Sequence, residues 1–193
     1  MEKERLLAFS DGVIAVIITI MVLELKSPHD ASLGALAAVA PPFLGYVLSF
    51  VYIAIYWNNH HHMFHMVRHV SGGILWANMH LLFWLSLVPF ATDWMGENHF
   101  ARIPMIVYGI ALLMPALAYY VLERTIIRRQ GSGSALAQAI GRDRKGRISI
   151  VLYIAAMLLA LVHSWIAGAI YVLVALIWLI PDRRIERAIR DSR

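Results

Sequence analysis

The sequence predicts an all-α integral membrane protein, and three observations carry that prediction. Of 193 residues, 60% are hydrophobic and only 15% are charged, against roughly half apolar and about a quarter charged in soluble domains. The apolar residues fall in blocks near the ~20 residues a membrane-crossing helix needs. The basic residues fall between those blocks with a strong bias to one side.

The blocks divide a single domain, residues 1–193, into six expected spans at about 5–25, 33–57, 73–95, 103–127, 147–163 and 166–181. The first runs from Leu6 to Leu25. No A-x-A-like cleavage site follows it, so it is expected to stay in the membrane as a span. The second contains Pro41-Pro42, where lost backbone hydrogen bonds predict a kink. Pro89, Pro104 and Pro115 lie in or near the third and fourth spans. The apolar run from Ile148 to Ile180 is too long for one ordinary helix. His163, Ser164, Trp165 and Gly168 near its middle mark the turn of a tight pair. The polar stretch Arg128–Arg147, with Gly131, Ser132, Gly133 and Ser134, reads as a loop holding a short helix at Ala135–Ile140. Ile185 and Ile189, at i, i+4 among charges, suit an amphipathic helix on the membrane surface.

An even count with the N-terminus inside places 15 of the 17 Lys+Arg on the cytoplasmic side and leaves Lys26 and Arg102 outside. Arginines near span ends meet anionic headgroups, so the net charge of +5 does not point to nucleic acid, and none is expected as a partner. Cysteine is absent, which excludes disulfides, thiolate metal sites and cysteine nucleophiles. The inverted-repeat pattern of many transporters is not visible.

The first span carries the informative residues. Asp11 lies about two turns in, beside Ser10, and a carboxylate at membrane depth is costly unless it meets water or a partner. Two readings stand: Asp11 caps the helix at the interface, or Asp11 and Arg5 join a buried polar network that fixes the packing of this helix. Val16, Ile20 and Leu23 follow at i, i+4, i+7 and form one stripe, with Thr19 adjacent. By itself such a stripe is ordinary helix packing.

In the third span His80 is an ionisable residue inside the membrane, which calls for a partner. Asp11 or Ser10 across the helix pair is the expected one, with Trp76 and Asn78 as further members. His60, His61, His62, His65 and His69 cluster after the second span. The i, i+4 pairs His61/His65 and His65/His69 have metal-binding spacing if helical, but no carboxylate lies nearby in sequence. No metal set is assigned, and whether the cluster binds one stays open. Protonation near pH 6.5 is the competing reading. Trp57, Trp94 and Trp178 are expected at membrane interfaces.

Arg5-x-x-x-Phe9-Ser10-Asp11-Gly12-Val13-x-Ala15-x-x-x-Thr19 resembles the first-helix motif of the transmembrane protein 175 family, the endolysosomal potassium channels and their bacterial homologues. Tyr56–Phe64 and Trp76–Trp84 agree in character. The resemblance implies a homotetramer of six-helix subunits whose first helices line a central pore, and a potassium-permeable, passive cation channel rather than an enzyme. The alternative is a proton-conducting or proton-coupled transporter. No cofactor is expected, only potassium as the permeant ion. The resemblance assigns the constriction to Val16, Ile20 and Leu23 and ion coordination to Thr19. It gives Arg5, Phe9, Ser10, Asp11, Trp76, Asn78 and His80 a polar motif network. Valine at 16 is smaller than the family's usual isoleucine or leucine, so the tightest point is expected at Ile20 or Leu23. Glu24 is expected to ring the outer mouth, with Asp30, Asp93 and Glu97 nearby in outer loops raising local cation concentration. A bacterial member would sit in the cell inner (plasma) membrane, with both termini cytoplasmic.

Overall fold

The computed structural model describes residues 2–67, 69–131, 133–140 and 144–179. Among these the secondary structure is helical throughout, in nine segments: α1 (Lys3–Leu23), α2 (Leu33–Ala38), α3 (Ala40–His65), α4 (Gly72–Ser86), α5 (Val88–Glu97), α6 (Arg102–Gln130), α7 (Ala135–Ile140), α8 (Arg144–Ala160) and α9 (Ser164–Leu179). Four stretches are long and apolar enough to cross a membrane: 3–23, 40–65, 72–97 and 102–130. The α9 helix is apolar but shorter. The amphipathic tail expected around Ile185 and Ile189 lies outside the described residues.

The expected second span at 33–57 is displaced. Pro41 and Pro42 sit at the start of α3, where the missing N–H groups would have had no helical acceptor anyway, and only Val39, itself in a helical conformation, separates α3 from the short α2. The prolines begin α3, and the helical run from Leu33 is interrupted at Val39, just before them. With its start moved to Ala40, α3 continues to His65, so His60–His65 are helical rather than part of a loop. The third span is divided at Leu87 between α4 and α5, because Pro89 cannot supply an N–H to the preceding turn. It also runs on to Glu97, so Asp93 and Glu97 are helical and not in an outer loop. Pro115 lies inside α6 and is buried against neighbours. The short helix Ala135–Ile140 forms where the sequence placed it.

Contacts between helix ends give the alternation. The Lys3 ammonium donates to the Val67 carbonyl at 3.2 Å, and Gly73 approaches Arg129. At the other end Lys26 pairs with Glu97 at 3.0 Å, and Gly96 packs against Pro42. A methyl on Gly96 would lie 2.6 Å from Pro42 Cα, so glycine is what lets these two backbones approach. The rings of Phe100 and Trp165 meet at that same end, 5.3 Å apart. The α8 and α9 helices form an antiparallel hairpin, because Trp178 near the end of α9 donates to Ser149 near the start of α8 at 2.8 Å.

Two apolar clusters fill the bundle. One joins Leu6, Ile14, Ile17 and Met21 of α1 to Ile53, Phe64, Ile74, Leu81, Leu85, Leu122 and Ile126. The other is built from tyrosine and alanine: Tyr52, Tyr108, Tyr153 and Tyr171 against Ala111, Ala156, Ala160, Ala167 and Ala175. Lipid is as apolar as leucine, so small residues that admit close approach and polar atoms that bond across helices hold such bundles together. Tyr52 donates to the Tyr171 carbonyl at 2.6 Å, and Tyr171 donates to the Met105 carbonyl at 3.0 Å.

Candidate functional site

The α1 helix presents two different faces, centred about 110° apart around its axis. Leu6, Ser10, Ile14, Ile17 and Met21 are buried against α3 and α4. Phe9, Val16, Ile20 and Leu23 are uncovered, with 52%, 54%, 42% and 79% of their surfaces exposed. Among the described residues the stripe is left largely open, with α5 facing part of it. Phe9, Val16 and Ile20 form one wall of a groove of about 880 Å³ whose other wall is Ser86, Pro89, Phe90 and Asp93; Glu24 also lines it, and Leu23 is not among its lining residues. The Thr19 hydroxyl is exposed and donates to the Val16 carbonyl at 2.8 Å. Its proton is thereby held on its own helix, and its oxygen lone pairs remain free to meet a cation.

A polar chain pins the buried face. The Ser10 hydroxyl donates to the Leu6 carbonyl at 2.9 Å and accepts from the Asn78 amide N–H at 2.9 Å. With that N–H committed, the Asn78 Oδ1 accepts from His60 Nε2 at 2.7 Å, which fixes the imidazole proton on Nε2. Ser10, Asn78 and His60 are all buried, so α1, α4 and α3 are joined by bonds made away from water. The His60 Nδ1 has no hydrogen-bond partner among the described residues. Asp11, one residue on, faces differently. It is exposed, and its carboxylate accepts from Trp57 Nε1 at 2.9 Å.

The motif residues thus separate. Ser10 and Asn78 come together as expected. Asp11 lies outside that network and uses Trp57, which the sequence placed only at an interface. Arg5 and Phe9 are exposed, so the buried Arg5–Asp11 network does not form within the chain. His80 does not face Asp11 or Ser10. It is exposed on α4, two residues round the helix from Asn78, and its Nε2 accepts from Trp84 Nε1 at 2.8 Å. Trp76 is 79% exposed and belongs to the same outward face. The physical reason is helical phase: Asn78 and His80 differ by about 200° on a 3.6-residue helix, so both cannot point inward. The residue missed was His60. The signal was available in Ile53, His60 and Phe64, which share one helical face once α3 is continued to His65.

Comparisons with known proteins bear on the family and the fold. The family described as "Endosomal/lysosomal potassium channel TMEM175" matches residues 5–89, the part holding α1, α3 and α4. A potassium channel of Chryseobacterium sp. (strain P1-3) is 54% identical over 192 residues, covering all of both chains. The crystal structure of a lysosomal potassium-selective channel TMEM175 homolog from Chamaesiphon minutus superposes with a TM-score of 0.82 at 28% identity, covering 94% of this chain and 98% of that one. The human endosomal/lysosomal proton channel TMEM175 is 32% identical over 116 residues, which is 54% of this chain and 23% of that protein. With the whole length matched at more than half identity, and the fold matched as well, this chain belongs to the TMEM175 family.

Proposed function

We propose that the chain is the subunit of a potassium-permeable cation channel that conducts passively through a pore lined by α1. In this reading the subunit spans the membrane six times, assembles as a homotetramer in the cell membrane, and keeps both termini in the cytoplasm. Val16, Ile20 and Leu23 form the constriction, Thr19 offers hydroxyl oxygens to the ion, and Glu24 stands at the outer mouth. The observation that carries the reading is the largely exposed stripe Val16–Ile20–Leu23 on a helix whose neighbouring face is held by the Ser10–Asn78 bond. Such a helix has one side free for an axis shared with other copies. Relatives named potassium channels support the ion. Aliphatic rings gate by dewetting, and a modest rotation of α1 would rehydrate them.

Reconstituted flux tests this. Ile20→Ala and Leu23→Ala are each expected to raise potassium flux several-fold in liposomes; flux unchanged in both would remove the stripe from the ion path.

A proton-conducting reading has one observation in its favour, the name of the human relative. Its expected relay between Asp11 and His80 is not assembled within a subunit, since each bonds a different tryptophan on a different side. A potassium diffusion potential that develops without a proton gradient separates the two readings.

A further inference from the structure

The continuation of α3 to His65 turns a sequence cluster of histidines into a defined surface. His60 faces inward on Asn78, whereas His61 and His65 are exposed and stand one turn apart. Their ring centroids are 6.0 Å apart. Two imidazoles bound to one tetrahedral ion at about 2.0–2.1 Å have centroids roughly 5 Å apart, so side-chain rotation alone brings this pair into register. The 26 residues of α3 make a helix about 39 Å long, which overruns a hydrocarbon core of about 30 Å. The end carrying His61 and His65 is the end where Lys3 reaches the Val67 carbonyl, so the pair lies where water and ions reach it.

We propose that His61 and His65 form a two-imidazole site for a divalent transition-metal ion on the last turns of α3. Nitrogen donors without carboxylates select Zn²⁺, Ni²⁺ or Co²⁺ over Mg²⁺ and Ca²⁺, which require oxygen shells. Among the described residues no third His, Cys, Asp or Glu completes a three-ligand group, so water fills the remaining positions. The site has a built-in reporter, because the His61 ring lies 6.1 Å from the Trp57 ring. The indole N–H of Trp57 is held by Asp11 of α1. The proposal does not depend on the channel reading.

The test uses the full chain in detergent with any affinity tag removed. Zn²⁺ titration by calorimetry should give one saturable site per chain. His61→Asn and His65→Asn should each weaken it by at least about tenfold, while His29→Asn and His99→Asn match the parent. Mg²⁺ should not compete. Separately, Ni²⁺ should quench a fraction of tryptophan fluorescence in the parent chain that is absent in Trp57→Phe, with gel filtration confirming that the variants stay folded. No saturable Zn²⁺ binding by the parent chain, or binding that survives both His61→Asn and His65→Asn, or equal loss in the His29 and His99 variants, would overturn the site.

Discussion

One side of α1 carries Leu6, Ser10, Ile14, Ile17 and Met21; the other carries Phe9, Val16, Ile20 and Leu23. Both are apolar, and each has one hydroxyl on it or beside it, Ser10 or Thr19. The first side is almost wholly covered by α3 and α4, and the second stays 42% to 79% exposed among the described residues, with α5 across a groove from it. Hydropathy cannot tell such faces apart, because in a membrane both environments, lipid and protein interior, are apolar. What separates them is the use of the hydroxyl. Ser10 takes a hydrogen bond from another helix, which ties its face to α4 and α3. Thr19 bonds only to its own backbone, which ties its face to nothing. Of these two faces, the one with a buried interhelical polar bond is the one committed within the subunit; Asp11, on neither face, bonds Trp57 of α3 at the surface.

The sharpest way to break the comparison is to place a charge on each face. Ile14→Asp should leave little folded protein, because an unpaired carboxylate would be buried in the apolar cluster. Val16→Asp should keep the subunit folded by gel filtration and raise cation flux in liposomes. Equal losses of folded protein would mean the second face is packed as tightly as the first.

A milder version uses truncation. Ile14→Ala and Ile17→Ala should each cost about 2–5 kcal/mol of unfolding free energy, as a buried aliphatic truncation does. Ile20→Ala should stay within about 0.5 kcal/mol of the parent, as an uncovered position does. Thermal or denaturant unfolding in detergent reads both.

Smaller again is the loss of the polar tie. Asn78→Leu leaves the buried His60 N–H without an acceptor, at an expected cost of about 1–2 kcal/mol. A double-mutant cycle of Asn78→Leu with Ser10→Ala should return a non-additive term, since one bond is counted in both. The smallest expected effect is that of Asp11→Asn. Its amide oxygen can still accept from Trp57, so stability should hold while the Trp57 emission shifts. A large loss of folded protein in this variant would place Asp11 in the committed network after all.

Much of the fold was readable from residue patterns. The apolar blocks, the charge bias, the helix at Ala135–Ile140 and the turn at His163 all answer to local chemistry: length against membrane thickness, charge against headgroups, breakers between helices. The element ends were less readable where proline was involved. Pro41-Pro42 can kink a helix or begin one, and here they stand at the start of α3, one residue after α2 ends. The site was half readable. Ser10, Asn78 and the Val16–Ile20–Leu23 stripe were legible as a pattern, whereas the pairings Asp11–Trp57, His60–Asn78 and His80–Trp84 were not.

By itself the sequence determined that this is a helical membrane protein, where its apolar segments lie, and which first-helix residues form a stripe, because these depend on composition and on the 3.6-residue period. Only the tertiary structure decided which face of α1 is covered and which polar groups meet. Those outcomes depend on the rotational phase of α3 and α4 against α1, and that phase is set by contacts between residues 46 and 68 positions apart, which no local pattern encodes.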